Sequence, residues 1–143
     1  MLPDLAINAL LGRRGRRTGD GPKMHELGIA QAIANAVTTR AMERQAARVT
    51  SVRLRIGEAA GVRPDALQGC WEVVASFEPT IAGARLVIDS PPHRARCRRC
   101  ACEFAVINFI AQCPVCNAWD SDVISGTELE IREMEIEPER ERE

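Results

Sequence analysis

Aromatic side chains are scarce in this sequence, since tyrosine is absent and all aromatic residues together make up 3% of the chain. Proteins that bind single-stranded nucleic acid stack its bases on such side chains, so a base-stacking surface has little support. The charges also nearly cancel, at 19 basic against 20 acidic residues, and leave no net field that would attract a polyanion. A nucleic-acid role would therefore need a local basic patch.

Long apolar runs are missing as well, and no stretch approaches the ~20 residues that a membrane span needs. The opening "MLPDLAINALLGRRGRRTGDGPK" places its apolar part before its arginines, which reverses the order of a secretory signal. We therefore expect a cytoplasmic protein without a membrane partner. Thiols stay reduced in that compartment, so the six cysteines indicate a metal site before disulfides.

The two ends of the chain lack a core pattern. Residues 1–23 end in a segment rich in glycine and arginine without periodicity, which predicts a disordered leader. An upstream misassigned start or an expression remnant explains this leader better than an RNA-binding or targeting arm. Residues 138–143, "PERERE", are predicted to be a solvated charged tail.

Hydrophobic periodicity between these ends predicts two helices and three strands. Apolar residues keep helical spacing from Leu27 towards Arg48, and again after Pro64 in a stripe that runs to Phe77. Strand-like alternation occurs in "SVRLRIG", whose other face is basic through Arg53 and Arg55, in "GARLVIDS" and in "TELEIREMEIE". The last segment changes parity, which predicts a bulge near Arg132.

This order of elements predicts an α+β fold in which two helices pack on a small three-stranded, antiparallel-type sheet. A four-cysteine module, similar to a zinc ribbon, is inserted before the last strand. The expected domains are an α/β domain of residues 24–90 plus 124–137 and a metal-binding module of residues 91–123.

The segment "CRRCACEFAVINFIAQCPVC" carries the strongest chemical signal. It holds two Cys-x-x-Cys pairs, Cys97 with Cys100 and Cys113 with Cys116. Two such turns can complete a tetrahedron of thiolates around Zn²⁺ and leave no open position, which is typical of a structural site. Iron bound as in rubredoxin is the main rival, and a thioredoxin-like redox pair fits less well because two matched pairs are present.

Other residues near this module have ordinary explanations. Cys102 could compete as a ligand, but a spare reduced thiol is the simpler interpretation. Cys70 is interpreted as a small hydrophobic residue of the second helix, and His93 as an exposed residue or one that supports the metal ligands. Four arginines flank the first pair: Arg94, Arg96, Arg98 and Arg99. They keep open a rival function, a zinc-ribbon module that binds nucleic acid or a protein complex. An enzyme lacks support, since the sequence shows no nucleophile-base pair, phosphate loop or open metal motif.

The segment Met24-His25-Glu26 becomes distinctive if the chain starts at Met24. The free amine, the backbone nitrogen of His25 and its imidazole would then form two fused chelate rings, a planar nitrogen set that suits Ni²⁺ or Cu²⁺. With residues 1–23 attached, only the imidazole, the thioether and the Glu26 carboxylate remain. A histidine at a helix start is otherwise more often a cap or a surface residue.

Taken together, "MHELGIAQAI", "VRLRIGEAAGVRPDAL", "GARLVI", the paired "CRRC" and "CPVC", and "SGTELEI" closely resemble the HypA family, the nickel-delivery proteins of nickel-iron hydrogenase maturation. The resemblance covers Met24 to about Glu137. It implies a nickel site at Met24, His25 and Glu26, with His25 indispensable, and a structural zinc on Cys97, Cys100, Cys113 and Cys116. It also implies a metallochaperone that works with a HypB-type GTPase and the hydrogenase large subunit, and a homodimer is one oligomeric state to test.

Two departures from the family pattern bear on these expectations. The glycine that commonly follows each cysteine pair is replaced by Ala101 and Asn117. Alanine adopts the left-handed conformation poorly, so the first turn is predicted to differ from the second. The leader is the larger departure, and a misassigned start at Met1 is the expected explanation.

Overall fold

The computed structural model describes residues 5–6 and 22–139, with side chains from His25 to Glu139. Most of the predicted leader and the end of the tail, residues 1–4, 7–21 and 140–143, lie outside the described residues. By internal contacts the chain divides into two compact units. Of the described residues, the first comprises 5–6, 22–54, 62–88 and 130–139, and the second comprises 55–61 and 89–129. The domain borders expected from the sequence remain a prediction.

The first unit contains two helices and the strands of one sheet. Its elements are β1 (Leu5–Ala6), α1 (Pro22–Glu43), β2 (Ala46–Ile56, which ends in the second unit), α2 (Pro64–Ser76), β3 (Arg85–Asp89) and β7 (Leu129–Pro138). The sheet has the order β1-β7-β2-β3, and the two residues of β1 pair antiparallel with β7. The predicted α+β fold of two helices with a small sheet is confirmed, and the two-residue β1 adds a fourth strand to the three that were predicted.

Amphipathic patterning accounts for the core of this unit. Ile29, Ile33 and Val37 of α1 are buried one turn apart, as are Leu67 and Trp71 of α2. The sheet adds buried side chains with strand alternation, namely Val52 and Leu54 of β2 and Leu86 of β3. In β7 burial changes parity between Ile131 and Met134, as the sequence pattern requires, while the bulge near Arg132 stays a prediction.

Three expectations for this unit need correction. Helix α1 begins at Pro22, so Met24 to Glu26 lie within the helix, and it ends at Glu43 rather than near Arg48. Gln45 then turns the chain with a φ of 54° before β2 begins. Phe77 is 81% exposed because it follows the end of α2 as its C-cap, where helical spacing no longer applies.

The solvent face of the sheet is not basic, in contrast to the sequence-based expectation. The Arg53 Nε lies 3.3 Å from a carboxylate oxygen of Glu133, and the Arg48 Nε lies 3.8 Å from Glu137. Glutamates of β7 therefore neutralise arginines of β2, as expected for opposite charges on adjacent strands.

The second unit is built on a three-stranded sheet with the order β5-β4-β6: β4 (Arg94–Cys97), β5 (Glu103–Ala105) and β6 (Ser121–Ser125). Both outer strands are antiparallel to β4. Its hydrophobic cluster is small and consists of Ala95, Cys97, Phe104, Val106 and Cys113. None of the described helices, in either unit, has the length and apolarity to cross a membrane.

Candidate metal centre

The two Cys-x-x-Cys turns of the second unit have the same backbone geometry. Cys97 donates its N–H to the Cys102 carbonyl at 2.9 Å and accepts the Ala101 N–H at 3.0 Å. Cys113 makes the same two bonds, with Ala118 and Asn117, both at 2.9 Å. The φ angles of Ala101 and Asn117 are 65° and 64°. The prediction that the first turn would differ is therefore wrong, because the backbone bonds hold Ala101 in a left-handed conformation despite its Cβ.

These equivalent turns bring four sulfur atoms together. The Sγ atoms of Cys97, Cys100, Cys113 and Cys116 all lie within 4.8 Å of one another. Two cross-pair separations, Cys97 to Cys116 and Cys100 to Cys113, are 3.5 Å. A tetrahedron with metal-sulfur bonds of about 2.3 Å has sulfur atoms roughly 3.8 Å apart, so the cluster has the size of a four-thiolate site.

Backbone amides make this cluster receptive to a cation. The N–H groups of Arg99 and Cys100 point at the Cys97 sulfur at 3.3 and 3.5 Å, and those of Val115 and Cys116 point at the Cys113 sulfur at 3.4 and 3.5 Å. Hydrogen bonds of this kind favour the thiolate. Led by the bond from Cys116, they lower the pKa of Cys113 to about 6, and the equivalent bond from Cys100 lowers the pKa of Cys97.

The second cysteine of the first pair shows the opposite shift. Although the Cys102 N–H lowers the pKa of Cys100, the neighbouring Cys113 thiol and burial outweigh it and raise that pKa to about 12. A bound divalent cation would supply the missing positive charge and deprotonate coordinating thiols. The donor set therefore fits a resident metal ion.

Two of the arginines beside the cluster form ion pairs with acidic side chains. Arg98 contacts Asp120 at 3.1 Å and Asp122 at 2.6 and 2.9 Å. Arg96 is hydrogen-bonded to Glu103 on the neighbouring strand. These pairs lower the pKa of Asp122 and Glu103 through hydrogen bonds from their arginines. Two of the four arginines that supported the nucleic-acid alternative thus make ion pairs within the unit.

The remaining candidate side chains are not members of the four-sulfur cluster. Cys102 is half-buried against the small hydrophobic cluster, and its Sγ lies 3.5 Å from the Glu103 carbonyl. Cys70 is half-buried on α2. His93 is buried, with its ring edge-on to Phe109 at 5.7 Å. Among the described residues, only the four cysteines gather three or more Cys, His, Asp or Glu ligand atoms at one point.

The predicted nickel segment belongs to the first unit. His25 is half-buried, whereas Glu26 is fully buried and accepts the backbone N–H of Arg63 at 3.0 Å. This partner was missed from the sequence because Arg63 lies 37 residues further along the chain. Pro64, which marks the start of α2, was the signal that could have found it, since a helix start needs acceptors for its N–H groups.

Comparison with known proteins gives a consistent family assignment. Residues 24–136 match the family model described as "Hydrogenase/urease nickel incorporation, metallochaperone, hypA". The hydrogenase maturation factor HypA of Geotalea uraniireducens is 40% identical over 114 residues, which cover 80% of this chain and all of the relative. The corresponding factor of Geobacter metallireducens has the same identity and coverage.

Solved structures agree on the fold. The solution structure of the nickel metallochaperone HypA from Helicobacter pylori matches with a TM-score of 0.59 at 18% identity, over 80% of this chain and 98% of that one. A second solution structure of a HypA protein matches with a TM-score of 0.63 at 19% identity, over 81% and 98%. With the fold, the four-cysteine centre and the family match in agreement, the chain belongs to the HypA family of nickel-incorporation metallochaperones and is not an enzyme.

Proposed function

We propose that this protein binds Ni²⁺ at Met24-His25-Glu26 and delivers it to the large subunit of a nickel-iron hydrogenase during maturation. The observation that carries the proposal is that the family match begins at Met24, which makes His25 the second residue of the matched region. The names of the relatives, hydrogenase maturation factors, support the choice of target. A cytoplasmic location and work with a HypB-type GTPase belong to the same proposal.

The proposed nickel site depends on a free amine at Met24. That amine, the backbone nitrogen of His25 and its imidazole supply nitrogen donors of the kind that Ni²⁺ prefers. The first N–H groups of a helix have no intrahelical partner, so a chain beginning at Met24 would leave these nitrogens available. In the 143-residue chain α1 already begins at Pro22, and the nitrogen of Met24 is an ordinary amide.

A site at this end of α1 favours release as well as capture. The N-terminal end of a helix carries partial positive charge, which opposes a bound cation, while loss of the amide proton compensates for it. Because the imidazole must be neutral to bind, affinity should fall as pH drops through the ordinary histidine pKa of about 6.5. A chaperone needs such intermediate affinity.

We further propose that the resident ion of the four-cysteine centre is Zn²⁺ and that its role is structural. Four thiolates close the coordination sphere and leave no position for a substrate. Cys97, Cys100, Cys113 and Cys116 would hold this ion, and Ni²⁺ would be cargo at the other unit.

A Ni²⁺ titration followed by absorption tests the proposal. The protein is begun at Met24, its intact mass is checked to show that Met24 is kept, and one equivalent of Zn²⁺ is added first to fill the cysteine site. We expect one Ni²⁺ per chain with a planar-type spectrum at pH 7.5, weaker uptake at pH 6, and loss of uptake in His25→Ala.

The 143-residue form is the matched comparison, and it should bind weakly. Equal nickel affinity in the two forms would show that the Met24 amine is not a ligand. A nickel affinity that does not change with pH would show that the His25 imidazole is not a ligand. If neither form binds, His25 is only a helix residue and the nickel proposal fails.

A further inference from the structure

Helix α2 begins without a cap of its own. Its N-cap residue, Arg63, has an extended backbone and makes no side-chain capping bond. Pro64 follows as the first helical residue. In a capping box, the side chain three residues after the N-cap accepts the N-cap N–H, but Ala66 occupies that position and has no acceptor. The Arg63 N–H therefore needs an acceptor from elsewhere in the chain.

Glu26 of α1 supplies that acceptor. Its Oε2 receives the Arg63 N–H at 3.0 Å, and its side chain is 0% exposed. The other carboxylate oxygen, Oε1, is buried and has no hydrogen-bond partner among the residues that the structure describes. A carboxylate is stabilised near the positive N-terminal end of a helix, which explains why this one lies at the start of α2. The bond joins the N-terminal part of α1 to the N-cap residue of α2.

We infer that the Glu26 carboxylate is the trans cap of α2 and positions the nickel-binding segment, and that it is not itself a nickel ligand. The inference rests on the proposed nickel site and refines it. Both oxygens of Glu26 are buried, so coordination through either one would require the side chain to move out of its place, which would withdraw Oε2 from the Arg63 N–H and leave a backbone donor at the helix start without its acceptor.

The neighbouring residue is placed for the other role. Successive residues of an α-helix point about 100° apart, so Glu26 can face the interior while His25, half-buried, reaches the surface. Glu26 therefore anchors the segment, and the adjacent His25 binds Ni²⁺. Fixing the first turn of α1 limits the orientations open to the imidazole, which lowers the entropy lost when Ni²⁺ binds.

The test uses Zn-loaded protein begun at Met24, with the variants Glu26→Gln, Glu26→Ala and, as the matched control, Glu72→Gln on the exposed face of α2. Two readouts are followed: the Ni²⁺ absorption spectrum with its affinity, and the hydrogen exchange of the Arg63 amide by NMR. Glu26→Gln keeps an acceptor oxygen, so we expect an unchanged spectrum and an affinity within about threefold. Glu26→Ala should speed Arg63 exchange and weaken nickel binding, each by about tenfold, with the same spectrum.

The decisive comparison is unmodified protein with and without Ni²⁺. Continued protection of the Arg63 amide after nickel binds supports the inference. Lost protection, or a spectrum altered in Glu26→Gln, would overturn it by making the carboxylate a ligand. This comparison holds even if Glu26→Ala does not fold. If no form binds nickel, the proposed function fails, whereas Arg63 exchange in Glu26→Gln and Glu26→Ala still decides whether Glu26 caps α2.

Discussion

Two glycines in the second unit allow backbone segments to approach more closely than any side chain permits. A Cβ on Gly57 would lie 2.1 Å from the carbonyl of Gly126, and a Cβ on Gly126 would lie 2.4 Å from the Cα of His93. Hydrogen bonds hold this junction, from Ala59 N–H to the Gly126 carbonyl at 2.7 Å and from His93 N–H to Glu58 at 3.2 Å. Only glycine, which has no Cβ, therefore fits at these two positions.

Gly126→Ala should therefore destabilise the second unit by at least about 2 kcal/mol, since it adds a backbone clash to a left-handed φ of 102°. Gly61→Ala is the matched control, because its φ is 80° but nothing lies within 4 Å of the added Cβ. The control should cost only about 1 kcal/mol. Urea unfolding of the metal-loaded proteins measures both, and equal losses would contradict the clash.

The two cysteine turns offer a second prediction for single residues. Ala101→Gly should stabilise the metal-loaded unit by about 1 kcal/mol, because it removes the Cβ penalty of a left-handed alanine. Asn117→Gly should change stability less, since asparagine tolerates this conformation. Competition with a chromophoric zinc chelator would measure the gain, and a larger gain at Asn117 would contradict the explanation.

At the scale of elements, α2 covers the outer edge of the first sheet. The Trp71 indole N–H donates to the Ala84 carbonyl at 2.9 Å, and the Gln68 amide donates to the Leu86 carbonyl at 2.7 Å. Leu86 belongs to β3, which is an edge strand, and Ala84 directly precedes that strand. Two side chains of one helix thus supply donors that a further strand would have supplied.

Trp71→Phe keeps a buried ring but removes the donor, so we expect a loss of about 1–2 kcal/mol from the unsatisfied Ala84 carbonyl plus the smaller ring. Trp119→Phe is the matched control, since Trp119 is 66% exposed, and it should change stability by less than about 0.5 kcal/mol. Thermal unfolding followed by far-ultraviolet circular dichroism compares them. Similar effects of the two changes would show that the hydrogen bond contributes little.

The elements also show what the sequence could and could not predict. Periodicity located α2 and the buried alternation of Val52, Leu54 and Ile56, because these patterns are local. The spacing of the cysteines predicted their cluster for the same reason. The neutral solvent face of the sheet and the burial of Glu26 were not predictable, because each depends on partners from distant segments. Glu26, for example, meets Arg63 across 37 residues of sequence.

At the scale of the molecule, the two units draw stability from different sources. The first buries large side chains, among them Trp71, Ile33 and Met134. Besides the buried Ile56 and Leu129, the second has a hydrophobic cluster of five residues, two of them metal-site cysteines, Cys97 and Cys113. So small a core rarely folds without a metal or a covalent cross-link.

Removal of the resident ion with a strong chelator should therefore unfold the second unit and spare the first. Because α1 and α2 both belong to the first unit, most of the helical signal at 222 nm should persist while the NMR signals of β4, β5 and β6 lose dispersion. Restoring Zn²⁺ should recover them. Loss of the helical signal on chelation would contradict independent stability of the first unit.

The positions of the two tryptophans give each of the two units its own intrinsic fluorophore. With no tyrosine in the chain, ultraviolet-excited emission arises almost entirely from Trp71, buried in the first unit, and Trp119, exposed in the second. Trp119 lies three residues beyond the metal-site Cys116. Acrylamide should quench Trp119 and spare Trp71, so chelation would be visible in one emitter only. Loading of the cysteine site and unfolding of the helical unit can then be timed separately, in one cuvette, without an added dye.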